Sequence, residues 1–277
     1  MLARLAYLAV HAVRRLTGKD DIAKVSRCGL RWVLDLREGL DLTIFLTGYF
    51  EHGVVRTCQR LLKPGDVAID VGANMGSQTL HMAKAVGPTG RVLSVEPTSC
   101  PLGRLRANLS GNPSLLSRVC LIQAFLTSTS EEHIPEFLPS SWRLAGDRSG
   151  AHPIHRGVPQ DTKGAYSLTL DQLAEKEKLR KVNLIKIDVD GAEDAVIAGG
   201  ERTISFFRPY IVMEVAPYTL IERGLSGKAP LHRLRRLGYV FEDLNGNRLD
   251  SEYLQWVDQL QPGYSRDIVA RYPERDN

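Results

Sequence analysis

The chain has 277 residues, enough to bury a sizeable core as one α/β domain or one domain with an appendage. Its 43% hydrophobic and 25% charged residues are ordinary for a globular protein in water, and no stretch approaches the roughly 20 apolar residues of a membrane span. The net charge of +4 is mild and spread along the chain, which disfavours nucleic acid as a partner.

The N-terminal stretch MLARLAYLAVHAVRRLTGKDD has the charged start and short apolar middle of a secretion signal. His11 interrupts that middle, however, and Arg14 and Arg15 stand where small residues would mark a cleavage site. The spacing of Leu2, Leu5, Ala9, Val13 and Leu16 instead predicts an amphipathic helix. Docking of this stripe onto the domain is the plain expectation, and peripheral membrane contact is the alternative. Residues 1–60 are expected to hold this helix and a prelude of short strands and a helix, with the main domain over 61–277. Cys28, Cys58, Cys100 and Cys120 are widely spaced and form no CxxC pair, which argues against a zinc site or a disulfide framework. Such cysteines suit a reducing compartment, the cytoplasm.

Pro64 and Gly65 in LLKPGD force a turn, and strands and helices alternate after it. Strands are predicted at Val67–Val71, Val92–Val95, Val119–Leu126, Leu184–Asp188, Tyr210–Val215 and Val240–Leu244. Helices are predicted near 77–86, 100–110, 170–181, 191–206 and 228–237. Nearly all-apolar strands alternating with helices imply a parallel sheet covered on both faces, an α/β doubly wound fold. Thr169 with Gln172, and Asp190 with Glu193, have the spacing of capping boxes. The turn DLNGNRL announces a C-terminal hairpin whose last strand, Asp267–Arg271, is antiparallel to the rest. Residues 139–164 are polar and rich in Gly and Pro, and carry Trp142, His152 and His155; so long a loop is expected to cover substrate.

AIDVGANMGSQT, residues 68–79, reads as a buried strand entering a tight turn and then a helix, at the carboxyl end where open α/β sheets bind ligands. A dinucleotide fingerprint needs glycines at 72, 74 and 77, but positions 74 and 77 hold Asn and Ser. No G-K-[ST] follows, so a phosphate loop is excluded. What remains is Asp70, Gly72, Asn74 and Gly76, a turn with an anion-binding helix start beside a carboxylate. A ligand bearing both a carboxylate and an ammonium satisfies both features, as the methionine part of S-adenosylmethionine does. Glu96 of VLSVEP lies 24 residues beyond Gly72, close to the spacing of about 20 at which an acid can accept two ribose hydroxyls.

These stretches, together with YSLTLDQL and VNLIKIDVDGAEDAVIAGGERTISFFRPYIVMEV, resemble the FkbM family of S-adenosylmethionine-dependent methyltransferases from about Gly48 to Val215, with a looser tail through GYVFEDL. The family pattern usually has Glu where this chain has Asp190. The resemblance implies a class I methyltransferase (Rossmann-like) fold, S-adenosylmethionine as cofactor, and O-methylation of a hydroxyl on a small molecule such as a natural product or sugar. It places the cofactor against Ala73, Ser77 and Pro97 besides Asp70, Gly72, Asn74, Gly76 and Glu96, and matches Glu51 of TGYFEHG to a position just upstream of the first strand, as a contact to the methionine end or else a surface acid. An NAD(P)-linked oxidoreductase and a non-catalytic scaffold of the same fold are the alternatives.

Methyl transfer is an in-line displacement, so the protein must chiefly position the reactants and take up the hydroxyl proton. Asp188 is the foremost candidate, as cofactor ligand or base, because it ends an apolar strand at the ligand edge. Asp190 follows it, with helix capping as its competing role. Lys186 is read as an ion-pair partner of its acidic neighbours, and Glu214 ends the next strand. His152 and His155 are candidate bases on the loop. Asp188 and Asp190 alone are too few ligands to argue for a metal.

Overall fold

Strands apolar on both sides can satisfy their backbone groups only by pairing inside the protein. The computed structural model describes residues 2–154, 156–249 and 253–273. The prelude comprises α1 (Leu2–Leu16), β1 (Ile22–Arg27), β2 (Leu30–Asp35), α2 (Gly39–Thr47) and α3 (His52–Leu61). The first half of the sheet unit follows as β3 (Val67–Val71), α4 (Thr79–Ala85), β4 (Arg91–Val95), α5 (Ser99–Ser110), α6 (Pro113–Leu116) and β5 (Val119–Ile122). An excursion then runs through β6 (Ala124–Leu126), β7 (Phe137–Ser141), β8 (Val158–Asp161) and β9 (Tyr166–Leu168). The second half contains α7 (Leu170–Lys176), β10 (Leu184–Ile187), α8 (Glu193–Ala198), α9 (Glu201–Phe207), β11 (Tyr210–Val215) and α10 (Pro217–Glu222). The chain continues through α11 (Ala229–Arg236), β12 (Val240–Glu242), β13 (Arg248–Leu249), α12 (Tyr253–Gln259) and β14 (Arg266–Arg271).

The central sheet has the order β13-β12-β14-β11-β10-β3-β4-β5. β3, β4, β5, β10 and β11 pair in parallel, while β14 lies antiparallel between β11 and β12. This is a class I methyltransferase fold, Rossmann-like, with the expected C-terminal antiparallel strand. The order reverses at β3, whose neighbours β4 and β10 come from opposite halves of the chain; a ligand crevice belongs at this point.

Alternate residues of each strand face opposite helical layers. Ala68, Val92, Leu184 and Val212 join the layer of Leu80, Met82 and Leu105, whereas Ile69, Leu93, Ile185 and Met213 join that of Leu173, Val196 and Leu231. Tyr7, Ala23 and Trp32 of the prelude bury into the first layer. Each fully buried Val, Leu, Ile or Met among them contributes about 1.5–3 kcal/mol. On the first face the even positions also carry a polar seam: Lys186 is registered against Asp70, which is registered against Ser94.

Several expectations are corrected here. The predicted strand 119–126 breaks at Gln123, whose side chain donates to the Pro97 and Lys163 carbonyls; β5 stays in the main sheet while β6 pairs with β9. The helix predicted over 191–206 is two helices, because Gly199 packs so closely that a Cβ would lie 2.1 Å from the Thr127 carbonyl oxygen. Thr169 and Gln172 form the expected capping box, but Asp190 does not cap α8. Instead Glu193 folds back to accept hydrogen bonds from the Gly191 N–H (3.1 Å) and the Val189 N–H (3.4 Å). The helix expected to 181 ends at Lys176. The 139–164 segment is a flap: β7 and β8 pair antiparallel and hold its ends together. Helix α1 forms, yet it docks through Ala3, Ala6, Tyr7 and Val10, leaving the Leu2–Leu5–Ala9–Val13–Leu16 stripe exposed.

Candidate active site

A cavity of about 260 Å³ opens at the carboxyl ends of β3, β4 and β10. Its walls include Gly72, Asn74 and Ser77 of the turn, Glu96 and Pro97, Glu51, Asp188, Asp190 and Glu214, with the flap residues Leu138, Ser140 and Trp142 as a cover.

The turn after β3 is held by its own backbone. The Gly72 and Ala73 N–H groups both donate to the Val95 carbonyl. Asn74 adopts φ +47°, a left-handed conformation that asparagine tolerates better than most residues. Its N–H donates to Glu96 Oε2 (2.8 Å), its Oδ1 accepts from the Met75 N–H (2.8 Å), and its Nδ2 donates to the Ser140 carbonyl of the flap (2.9 Å). One residue therefore ties turn, second strand and cover together, the strand through its backbone N–H and the rest through its side chain. Gly72 has φ +81°, and a Cβ there would sit 1.8 Å from the Asp188 carbonyl oxygen. The glycine thus serves a close approach of the chain to itself, where the sequence suggested an approach to ligand. Gly76 likewise packs under Leu105 and Leu80 and, with Ala73, lies behind the cavity wall.

Glu96 is buried at the wall, its Oε1 accepting from the Thr98 N–H (2.9 Å) and the Thr98 hydroxyl. Burial raises its pKa, and these hydrogen bonds with that from Asn74 pull the other way. A carboxylate fixed in this manner keeps lone pairs on both oxygens for a neighbouring diol.

The acid cluster centres on Lys186. Its Nζ lies 2.9 Å from Asp188 Oδ2 and 3.8 Å from Asp70 Oδ1, with its side chain almost wholly buried. Burial alone would lower the Lys186 pKa, but Asp188 and Asp70 outweigh it and hold the ammonium charged. Asp70 has no exposure and is not part of the cavity wall. Its Oδ2 accepts from the Thr79 hydroxyl at 2.5 Å, so it supports Lys186 from behind. The sequence expected Asp70 at the cofactor; in the structure it stands behind the wall.

Around that pair the carboxyls are hard to ionise. Burial, then the Asp188 charge, pushes Glu51 up to about 8 and Glu214 up to about 9. Asp190 is pushed up to about 7 by burial and by Asp188 and Glu193, against the pull of Arg223. Asp190 also sits at φ +47°, while the Arg223 guanidinium donates to its carbonyl (3.2 Å). Glu51, at φ +50°, holds a strained conformation at the cavity edge, where Gln78 Nε2 reaches its Oε2 at 3.4 Å. An excess of carboxyls over Lys186 and Arg223 makes this end of the cavity receptive to a cationic ligand.

His152 of the flap does not join them. His152 Nε2 lies 3.2 Å from Glu222 Oε2 on α10, so its ring points to that helix and away from the cavity wall. His155 lies outside the described residues. Thr98, Arg104 and Arg223 line the cavity without having been singled out in the sequence. Arg223 caps the C-terminus of α10, and no motif in the sequence announced it. Arg104 reaches the wall by pairing with the fully buried Asp41 of α2, a contact no local pattern announces.

A doubly wound sheet with β14 antiparallel, an acid at the end of β4 and a cation-seeking pocket beside the β3 turn define a class I methyltransferase, whose cofactor is S-adenosylmethionine. The family model "Methyltransferase FkbM domain" matches residues 70–241, and the chain belongs to that family. It is 28% identical over 193 residues to the 2-O-methyltransferase NoeI of Sinorhizobium fredii, covering 66% of this chain and 74% of NoeI. It is 26% identical over 255 residues to the AMB antimetabolite synthetase AmbE of Pseudomonas aeruginosa, covering 80% of this chain and 11% of AmbE. Among solved structures it is similar to methyltransferase FkbM from Methylobacillus flagellatus KT, with 14% identity, a TM-score of 0.43, and coverage of 83% of this chain and 52% of that one.

Proposed function

We propose that the chain transfers the methyl group of S-adenosylmethionine to a hydroxyl of a small molecule, a natural product or a sugar. The observation that carries this reading is the carboxyl of Asp190 at the cavity wall beside Asp188, where burial and the neighbouring acids push its pKa up to about 7. A base whose pKa lies near the working pH is the one best able to take a hydroxyl proton during displacement. The relative NoeI, named as a 2-O-methyltransferase, supports oxygen as the accepting atom.

In this reading Glu96 holds the ribose hydroxyls, and Asp188, fixed by Lys186, faces the ammonium of the methionine end. Bound S-adenosylmethionine supplies an electrophilic methyl on a sulfonium. Glu51 and Glu214 take up or release protons to match the charge of what occupies the cavity. Asp190 accepts the acceptor's hydroxyl proton, and the flap excludes water through Ser140 and Trp142.

The test is methyl transfer from isotopically labelled S-adenosylmethionine to a panel of sugars and hydroxylated natural products, with amine and thiol analogues alongside. Transfer to a hydroxyl that falls about 10²–10⁴-fold in kcat in Asp190→Asn, at unchanged affinity for S-adenosylhomocysteine, supports the reading. Transfer only to amines or thiols, or an Asp190→Asn enzyme of normal kcat, refutes it.

A further inference from the structure

Helix α1 has two apolar faces, and among the described residues only one of them is covered. Its inner face, Ala3, Ala6, Tyr7 and Val10, packs on the core, and Arg14 is drawn inward to the Asp20 and Ile22 carbonyls. Opposite that face stand Leu2, Leu5, Leu8, Val13 and Leu16, with exposures from 51% at Leu8 to 88% at Leu16. Ala9 and Ala12, also exposed, fill the gaps between them. Scattered apolar side chains at a surface need no explanation, but a continuous stripe along a whole helix does.

The charges borne by the helix itself carry one sign. The 15 residues of α1 contain no carboxylate, and Arg4 and Arg15 flank the stripe on one side, with Lys19 beyond its end. Beside the helix runs a groove of about 610 Å³, where Arg148 and Arg156 of the flap stand with Arg4, Leu5 and Leu8. Trp142, 41% exposed, forms part of this groove and also of the catalytic cavity wall.

From these observations we propose that the outer face of α1 and the flap arginines form a docking surface for an anionic lipid bilayer. The stripe is convex, borne by one helix standing on the surface, so it suits insertion into a layer of acyl chains better than a groove-seeking partner. A rim in which four arginines and a lysine outnumber the exposed Asp20 and Asp147 is complementary to lipid phosphates, whereas an apolar protein–protein contact has no need of one. The helix lies in the plane of the interface with its leucines among the acyl chains. Arg4, Arg15, Lys19, Arg148 and Arg156 meet the headgroups. Because Trp142 belongs to both walls, the docked face adjoins the entrance that the flap covers. This inference stands on the surface alone, independently of which acceptor the cavity takes.

The full chain is sedimented with vesicles of phosphatidylcholine containing phosphatidylglycerol, and with vesicles of phosphatidylcholine alone. Binding is expected to the first and to be weak with the second, and to decline as salt is raised. Leu5→Asp/Leu16→Asp is expected to abolish it, and Arg148→Ala/Arg156→Ala to weaken it about fivefold per arginine removed. Both variants change exposed or half-exposed side chains, and unchanged circular dichroism and S-adenosylhomocysteine affinity verify that they are folded. Failure of the parent chain to bind the anionic vesicles at low salt overturns the proposal. So does binding that the leucine variant retains in full. A concentration-dependent dimer that Leu5→Asp/Leu16→Asp dissolves would assign the face to a second copy of the chain and overturn it equally.

Discussion

The carbonyl oxygen of Asp188 occupies the place where residue 72 would carry its side chain: a Cβ on Gly72 would lie only 1.8 Å from it. The turn after β3 and the end of β10 therefore fit together only because residue 72 is glycine, and that contact fixes Asp188 at the cavity wall. Gly72→Ala must shift one segment against the other at a position already at φ +81°. We expect a destabilisation of about 1–3 kcal/mol from backbone strain and a loss of S-adenosylhomocysteine binding. Calorimetric unfolding and ligand titration check this together, and normal affinity in a folded variant would show that the contact does not position the site.

Lys186 is the counter-charge to two acids of unequal exposure, Asp188 at the wall and Asp70 beneath it. Lys186→Met leaves Asp70 buried without its partner, and such removals cost about 3–5 kcal/mol. Adding Asp70→Asn takes away the stranded charge, so the double variant is expected to recover much of that loss. Denaturant unfolding of the two single variants and the double variant gives the coupling. Additive losses would mean that Asp70 serves something other than Lys186.

Glu96 and Asp70 looked alike in the sequence, as acids at or near the ends of neighbouring strands, yet they occupy different layers. Glu96 lines the cavity with its carboxylate already oriented by Asn74 and Thr98. Glu96→Ala is therefore expected to weaken S-adenosylhomocysteine binding about tenfold or more, equivalent to losing one charged hydrogen bond. Asp70→Asn is expected to change affinity far less than stability. Titration calorimetry on both variants decides, and a larger affinity loss in Asp70→Asn would reverse the assignment.

How much of this could be read beforehand depended on how local the determinants were. β3 and β11 lie where an apolar run bounded by turn residues places them, since both signals sit within a few residues of the strand itself. The Asp70–Gly76 turn and Glu96 were legible for the same reason. The flap was not: β7 and β8 pair across 16 intervening residues through a polar, proline-bearing sequence with no alternation. The break at Gly199 and Gly200 was likewise hidden, because it comes from backbone packing against Thr127 and Leu170. Periodicity identified α1 as amphipathic but could not tell which of two apolar faces meets the core, since Ala3, Ala6, Tyr7 and Val10 are nearly as apolar as the stripe left outside. The Asp190–Glu193 spacing fitted a capping box, but the left-handed turn at Asp190 carries the chain past that geometry.

The acid cluster fixes the sign of the pH dependence. Asp190, Glu51 and Glu214 are pushed up to about 7, 8 and 9 in the folded protein by burial and mutual repulsion, from ordinary values of 3.8, 4.5 and 4.5. Between their unfolded and folded pKa values the native state binds more protons than the unfolded chain, so stability falls as pH rises through that window. His81 acts in the other direction: burial lowers it to about 4 from 6.5, so its contribution grows with pH only up to about 6.5. Above that point the acids are unopposed by it. The ligand-free protein is therefore expected to lose thermal stability steadily from pH 6.5 to pH 9. A cationic ligand stabilises the ionised carboxylates, so S-adenosylmethionine should raise the melting temperature more at pH 9 than at pH 6.5. Its binding should also release protons, seen as a heat that varies with the ionisation enthalpy of the buffer. A melting temperature that stays level or climbs over this range, with no proton release on binding, would mean that these carboxyls are already ionised at neutral pH and that the cavity is charged before its ligand arrives.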